Sequence, residues 1–100
     1  MIHVEKFEAK ERCNLSPWEV ERLKKEFNDR VDFINKKYEQ LNELDRFSME
    51  MDWDIKHRTI QDDKAELHGF AIACIMMALI VEYEDIRYKN IEVKSNVVTD

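Results

Sequence analysis

Apolar residues recur every three or four positions through the first half of the chain. They fall at Val20, Leu23, Phe27, Val31, Ile34, Tyr38, Leu41 and Leu44. This spacing averages close to 3.5 residues, which is typical of a helix that packs along a narrow seam. The pattern therefore predicts one long amphipathic helix.

The start of this helix is marked by the segment from Leu15 to Val20. Ser16 and Glu19 have the spacing of a capping box, in which each side chain reaches an unpaired amide of the first turn. Pro17 falls at the first helical position, where its missing N–H costs nothing. Leu15 and Val20 stand at the two positions of a hydrophobic staple. We predict a helix from Pro17 to about residue 45.

A second helix is predicted around the apolar run from Phe70 to Val81. The run is apolar on every face, as expected for a helix that is buried all round. Acidic residues precede the run and basic residues follow it, as the helix dipole favours; these are Asp62, Asp63, Glu66, Arg87 and Lys89. The predicted helix spans about residues 63–88.

Three segments carry weaker patterns. Residues 47–56 alternate apolar and polar side chains, which favours a strand, but they also continue the helical stripe without a Gly or Pro. A helical continuation is narrowly favoured there. Short strands are possible at 2–7, 47–56 and 91–98, and the two terminal segments could pair as a ribbon.

These elements give a single, mainly α-helical domain covering residues 1–100. Its centre is a long antiparallel helix pair, about 17–45 against about 63–88. One helix cannot cover every face of the second, so we expect a second copy to do so and to form a four-helix arrangement across a two-fold axis. The residues expected to mediate this self-association are Ile72, Ile75, Met76 and Leu79.

The balance of charge is acidic, with 22 acidic against 16 basic residues and a net charge of −6. This argues against direct binding to nucleic acid, whose phosphates attract Lys and Arg. It favours a carboxylate surface that occupies a partner's basic groove. The longest uncharged apolar stretch, residues 69–81, is shorter than the roughly 20 residues of a membrane span. The first residues lack the features of a signal peptide, so we expect a soluble, cytoplasmic protein.

Acidic residues flank the second apolar run in the pattern Asp62-Asp63-x-x-Glu66 and Glu82-x-x-Asp85. The pattern resembles the paired acidic motif of MazG-type all-α nucleotide pyrophosphohydrolases, with aspartates where that family has paired glutamates. The resemblance implies two helices that converge their carboxylates on Mg²⁺. In one continuous helix, however, Glu66 and Glu82 would lie about 24 Å apart along the axis and could not share a metal ion.

The sequence favours a non-enzymatic protein-interaction module with no cofactor and no metal. Small size and acidity suit an inhibitor or adaptor of the kind that phages and mobile elements encode to block a basic surface. The alternatives are the Mg²⁺-dependent nucleotide hydrolase and a structural subunit of a larger complex. Aromatic residues anchor many interfaces, so the candidate partner-binding residues are Trp18, Trp53, Tyr83 and Tyr88.

Overall fold

The protein consists of two long helices and two short strands. The computed structural model describes residues 1–43 and 50–86, with the backbone alone described at residues 42, 43 and 50–52. Along the chain the elements are β1 (Ile2–Ala9), α1 (Pro17–Glu43), α2 (Glu50–Met76) and β2 (Leu79–Asp85). The helices pack against each other in antiparallel fashion, and the strands pair antiparallel. The mainly α fold with a long antiparallel helix pair is confirmed.

Helix α1 begins at Pro17, where the capping signals place it. The Ser16 hydroxyl donates a hydrogen bond to the Glu19 carboxylate (3.0 Å), and the amide of Val20 donates to the carbonyl of Ser16 (3.1 Å). The predicted seam faces the core, and Leu44 alone of its residues lies outside the described ones; its most enclosed residues are Phe27, Val31, Ile34, Tyr38 and Leu41. The sequence pattern therefore predicted both the start and the buried face of this helix. The capping contact differs from the predicted one, because the side chains of Ser16 and Glu19 bond to each other.

Helix α2 has different bounds from those predicted. It spans Glu50–Met76 instead of 63–88. Residues 50–56 are helical, as was narrowly favoured for the 47–56 run, and residues 47–49 lie outside the described residues. Residues 77–86 are not helical, because the chain turns and enters β2.

The turn after α2 depends on Ala78, which has a φ of 64°. The amide of Met77 donates to the carbonyls of Ala73 (3.2 Å) and Cys74 (3.1 Å), and the amide of Ala78 donates to Ile75 (3.1 Å). A residue in the left-handed region commonly ends a helix in this way. The apolar run is therefore divided between a helix and a strand, although neither Gly nor Pro marks the division.

The sheet pairs the N-terminal segment with β2. Its register runs from Ile2 opposite Asp85 to Ala9 opposite Leu79, with a bulge between Val4 and Lys6. The extra residue in the bulge keeps the apolar side chains of β1 on one face of the sheet. The predicted strand at 2–7 is confirmed, but its partner is β2; the predicted partner, 91–98, lies outside the described residues.

The core lies between the helix pair and the inner face of the sheet. Strand β1 lies against α1 and β2 lies against α2. Phe27 is at the centre of an aromatic cluster, with ring centroids 5.7 Å from Phe7, 6.1 Å from Phe70 and 5.7 Å from Tyr83. The molecule is elongated, with extents of 53 × 25 × 16 Å. Within the described part of the chain, no helix has the length and apolar character needed to cross a membrane.

Candidate protein-interaction surface

Hydrogen bonds at both ends of the sheet show which residue pairs of the ladder are hydrogen-bonded and which are not. At one end the amide of Ile86 donates to the carbonyl of Met1 (2.6 Å), and the terminal amine of Met1 donates to Ile86 (2.5 Å). At the other end the amide of Lys10 donates to the carbonyl of Ala78 (3.0 Å). Bonded and non-bonded pairs alternate along an antiparallel ladder. The bonds at the two ends therefore determine which backbone N–H and C=O groups of β2 point away from β1.

Strand β2 has an open backbone edge at its centre. Val81 and Tyr83 occupy non-bonded positions opposite Phe7 and Val4, so their N–H and C=O groups point away from β1. Within residues 1–43 and 50–86, no backbone hydrogen bond outside the β1–β2 ladder involves these groups. Unpaired strand edges are sites where another strand can add.

The opposite edge of the sheet, on β1, is covered at Ile2 and interrupted by a bulge. The amide of Ile2 donates to the side-chain oxygen of Asn35 (2.7 Å), and the side-chain nitrogen of Asn35 donates to the carbonyl of Ile2 (3.0 Å). The bulge between Val4 and Lys6 interrupts the ladder farther along. Bulges and covered edges hinder strand addition. Val4 and Phe7 also direct backbone groups away from their partner strand, but the bulge separates them, so β2 provides the uninterrupted edge of this sheet.

The outer face of the sheet is acidic. Its outward and bulge positions across the two strands carry four exposed glutamates, namely Glu5, Glu8, Glu82 and Glu84. The lysine on this face, Lys6, forms an ion pair with Glu8 (3.1 Å) and lies opposite Glu82 in the register. We call these four glutamates the acidic face; their charge exceeds that of the lysine among them.

An apolar flank of α2 lies beside the open edge. His68 fixes the position, because its Nδ1 lies 3.1 Å from the hydroxyl of Tyr83 on β2. Ile72 and Ile75 follow His68 on the same face of the helix, four and seven residues later. They are 46% and 44% exposed, and the neighbouring Met76 is 83% exposed. We call Ile72, Ile75 and Met76 the apolar flank.

A polar cluster joins the end of β2 to both helices. Asp85 forms an ion pair with Lys64 of α2 and accepts a hydrogen bond from the Tyr38 hydroxyl of α1 (3.2 Å). Burial raises the pKa of Tyr38, and the negative charge of Asp85 raises it further. Burial opposes the charge on Lys64, but hydrogen bonds to Asp85 and Tyr38 outweigh burial and raise its pKa. The cluster holds the strand in place, which keeps the open edge in a fixed position.

The acidic residues of the hydrolase-like pattern do not converge. Asp63 pairs with Lys37, Glu66 pairs with Arg30 (3.8 Å), and Asp85 pairs with Lys64. The remaining members of the pattern, Asp62 and Glu82, are exposed. No group of three or more potential metal ligands exists among the described residues.

The predicted separation of Glu66 and Glu82 along one helix is wrong. It assumed one continuous helix from the first acidic group to the second, but the chain turns at Ala78 and β2 runs back along α2. The turn therefore lies after the helix and not at Gly69, which is helical. Asp85 returns to the side of α2, where it contacts a lysine.

The aromatic candidates occupy different surroundings. Trp18 is 65% exposed near the start of α1, on the surface away from the core. Trp53 is half-buried, packs against the core and stacks on His57 at 5.0 Å. Tyr83 is half-buried at the open edge, and Tyr88 lies outside the described residues. Of the three candidates that the structure describes, Tyr83 alone lies on the surface described above.

The predicted self-association residues are divided by the structure. Ile72, Ile75 and Met76 form the exposed apolar flank. Leu79 is 0% exposed, because it is the first residue of β2 and faces the core. Its assignment to the same exposed stripe was wrong, since the helix that was expected to carry it ends at Met76.

A second surface is the shallow groove between the helices on the side away from the sheet. The groove encloses about 370 Å³ and is lined by Glu26, Asp29, Arg30, Phe33, Ile34, Asp63 and Glu66. Arg30 and Lys37 neutralise two of its carboxylates, as described above, and each cation also lies over an aromatic ring. The groove therefore has less unbalanced charge than the acidic face.

Comparisons with family models, with curated proteins and with solved structures were made on the whole chain. None of them gave a match.

Sequence reasoning missed the open edge because residues 79–85 were assigned to a helix. The segment Leu79-Ile80-Val81-Glu82-Tyr83-Glu84-Asp85 does carry a strand signal. Its second half alternates apolar and acidic residues, and β-branched and aromatic residues favour strands. The acidic residues were considered as metal ligands, so their common position on the outer face of a sheet was not considered.

Proposed function

We propose that this protein is a non-catalytic binding module that attaches to a basic surface of another protein. The observation that carries the proposal is the acidic face, which lies beside an open strand edge and an exposed apolar flank. Polar or charged rims around apolar residues are typical of protein interfaces. The module then acts as a small acidic inhibitor or adaptor, of the kind that phages and mobile elements encode.

Charge supports a protein partner over a nucleic acid. The net charge of −6 repels phosphate backbones, and the four glutamates of the acidic face attract lysine and arginine. Both cysteines, Cys13 and Cys74, are free thiols, which suits a cytoplasmic location. A Mg²⁺-dependent hydrolase is less favoured, because the described carboxylates of its motif are paired with cations or are dispersed.

A titration with an oligolysine peptide tests this proposal. We expect the peptide to shift the backbone amide resonances of Glu82 and Glu84, with an affinity that falls as salt is added. The double substitution Glu82→Gln and Glu84→Gln should weaken binding by about fivefold, since exposed ion pairs are individually weak.

A matched control uses two exposed glutamates of α1 that lie outside the acidic face. The double substitution Glu21→Gln and Glu39→Gln makes the same change in net charge and should leave the affinity close to that of the unmodified protein. Equal loss in both double variants, or equal binding of an oligoglutamate peptide, would show that the acidic face is not the binding surface.

Self-association is a second candidate, and the exposure of the apolar flank favours it. Burying the exposed half of each isoleucine would contribute roughly 1 kcal/mol, so a second copy is a suitable cover. We expect a homodimer at micromolar concentration in light scattering after size exclusion. Ile72→Glu should dissociate it, whereas Ile55→Glu, at an exposed isoleucine on another face of α2, should not. A monomer of 12.1 kDa at every concentration would contradict self-association.

A further inference from the structure

We infer that the partner binds by adding a strand to the open edge of β2, and that this strand alternates apolar and basic residues. The inference rests on the proposed function and specifies its mode of binding. Strand addition is a common way for one protein to bind an extended segment of another. Three features of the edge support it: its backbone groups, the side chains on either side of it, and its charge.

The backbone of β2 supplies the first feature. Val81 and Tyr83 direct N–H and C=O groups outward, in the spacing that an adjacent strand requires. The polar cluster at Asp85 and the turn at Ala78 hold the two ends of the strand. The edge is therefore preorganised. Binding of an incoming segment then costs little conformational entropy of the protein, which favours affinity.

The side chains beside the edge determine the pattern of the incoming strand. Side chains alternate between the two faces of a sheet. Residues placed opposite Val81 and Tyr83 would face the helices and contact Ile72 and Ile75 of the apolar flank. The intervening residues would lie on the outer face, next to Glu82 and Glu84. The first set is therefore expected to be apolar and the second set basic.

Charge favours a foreign strand over a second copy of β2. A second copy would bring its own glutamates to this edge, and like charges on neighbouring strands are destabilising. A strand with lysine or arginine at the outward positions places opposite charges there instead. The partner is therefore a protein with an exposed segment in which apolar and basic residues alternate.

The test uses the full chain and a short peptide that alternates valine and lysine. We expect this peptide to slow the hydrogen exchange of the Val81 and Tyr83 amides. A peptide of the same composition, with all its valines grouped at one end, should bind more weakly and leave these amides unprotected. Alternating valine and glutamate should prevent binding.

The outcomes separate this inference from the proposed function. Shifts at Glu82 and Glu84 without protection of Val81 and Tyr83 would overturn strand addition while leaving the charge contact intact. Protection of both amides in the free protein would also overturn it, because the edge would already be covered. Failure of every lysine peptide to bind would contradict the proposed function itself.

Two sets of variants distinguish loss of peptide binding from loss of folding. Ile72→Ser should weaken binding of the valine–lysine peptide about tenfold, since it removes one buried contact. Ile55→Ser removes an isoleucine of similar exposure from another face of α2 and should have no effect. Replacing both Glu82 and Glu84 with lysine should reverse the preference toward the valine–glutamate peptide. An unchanged preference would contradict the proposed orientation of the strand.

Discussion

Ala78 controls the point at which the second half of the chain changes direction. A non-glycine residue at a φ of 64° is strained by contact between its Cβ and the backbone, at roughly 1–2 kcal/mol. Because this residue separates α2 from β2, the strain is located at the turn that positions the binding edge.

The strain at residue 78 predicts that Ala78→Gly stabilises the protein. Glycine removes the steric conflict but increases the entropy of the unfolded chain, so the expected net gain is about 0.5–1 kcal/mol in urea denaturation. Ala65→Gly is the matched control, since Ala65 is exposed inside α2. There glycine should destabilise by about 1 kcal/mol. A loss of stability in both variants would show that residue 78 is not strained.

Two ionisable residues, Tyr38 and Lys64, should make the free energy of unfolding depend on pH in the alkaline range. The pKa values of Tyr38 and Lys64 are raised above their ordinary values of 10.0 and 10.5. The unfolded chain therefore loses these protons at a lower pH than the folded chain does. The stability that these two groups contribute should be fully present below about pH 10. It should be lost as the pH rises through their folded-state pKa values.

Chemical denaturation at a series of pH values measures this dependence. Tyr38→Phe should reduce the alkaline loss, because phenylalanine has no proton to release. Lys36→Met, at an exposed lysine of α1, should leave the loss unchanged. An alkaline profile that is identical in the unmodified protein and Tyr38→Phe would contradict a role for this residue.

At the scale of the elements, Gly69 lies within α2 and not at a turn. A Cβ added at this position would meet nothing within 4 Å. Glycine inside a helix costs about 1 kcal/mol relative to alanine. Gly69→Ala should therefore raise the free energy of unfolding by about 1 kcal/mol, as measured in urea. A loss of stability would show that the helix bends or packs closely at this position.

The two helices differ in how well the sequence predicts them. Helix α1 has a capped start and a regular stripe, so local signals specify both its first residue and its buried face. Helix α2 begins in an ambiguous alternating segment and ends inside a uniformly apolar run. A run that is apolar on every face has no period, so it does not distinguish a buried helix from a helix followed by a buried strand.

The prediction of candidate sites depended on where α2 ends. The sequence pattern placed the acidic residues at 82 and 84 near the end of a buried helix. On a strand they share the outer face with glutamates of β1, which no local pattern could indicate because the two strands are about 80 residues apart. The exposed flank at Ile72, Ile75 and Met76 was predicted, since it lies within the helical part of the run.

At the scale of the whole molecule, the sheet covers one side of the helix pair. This leaves the molecule thin, at 16 Å in its shortest dimension, with several apolar side chains exposed. A small elongated protein of this kind has a high ratio of surface to volume. Its most distinctive surface combines charge, apolar side chains and unpaired backbone at the edge of β2, which is why binding is the proposed function.

The most direct test of the open strand edge is hydrogen exchange combined with Cα chemical shifts for Leu79–Asp85 in the free protein. An open-edged strand predicts negative secondary Cα shifts throughout this segment. It also predicts slow exchange at Ile80, Glu82 and Glu84, whose amides face β1, and fast exchange at Val81 and Tyr83, whose amides face outward. Positive shifts, or equal protection at every position, would contradict the open strand edge.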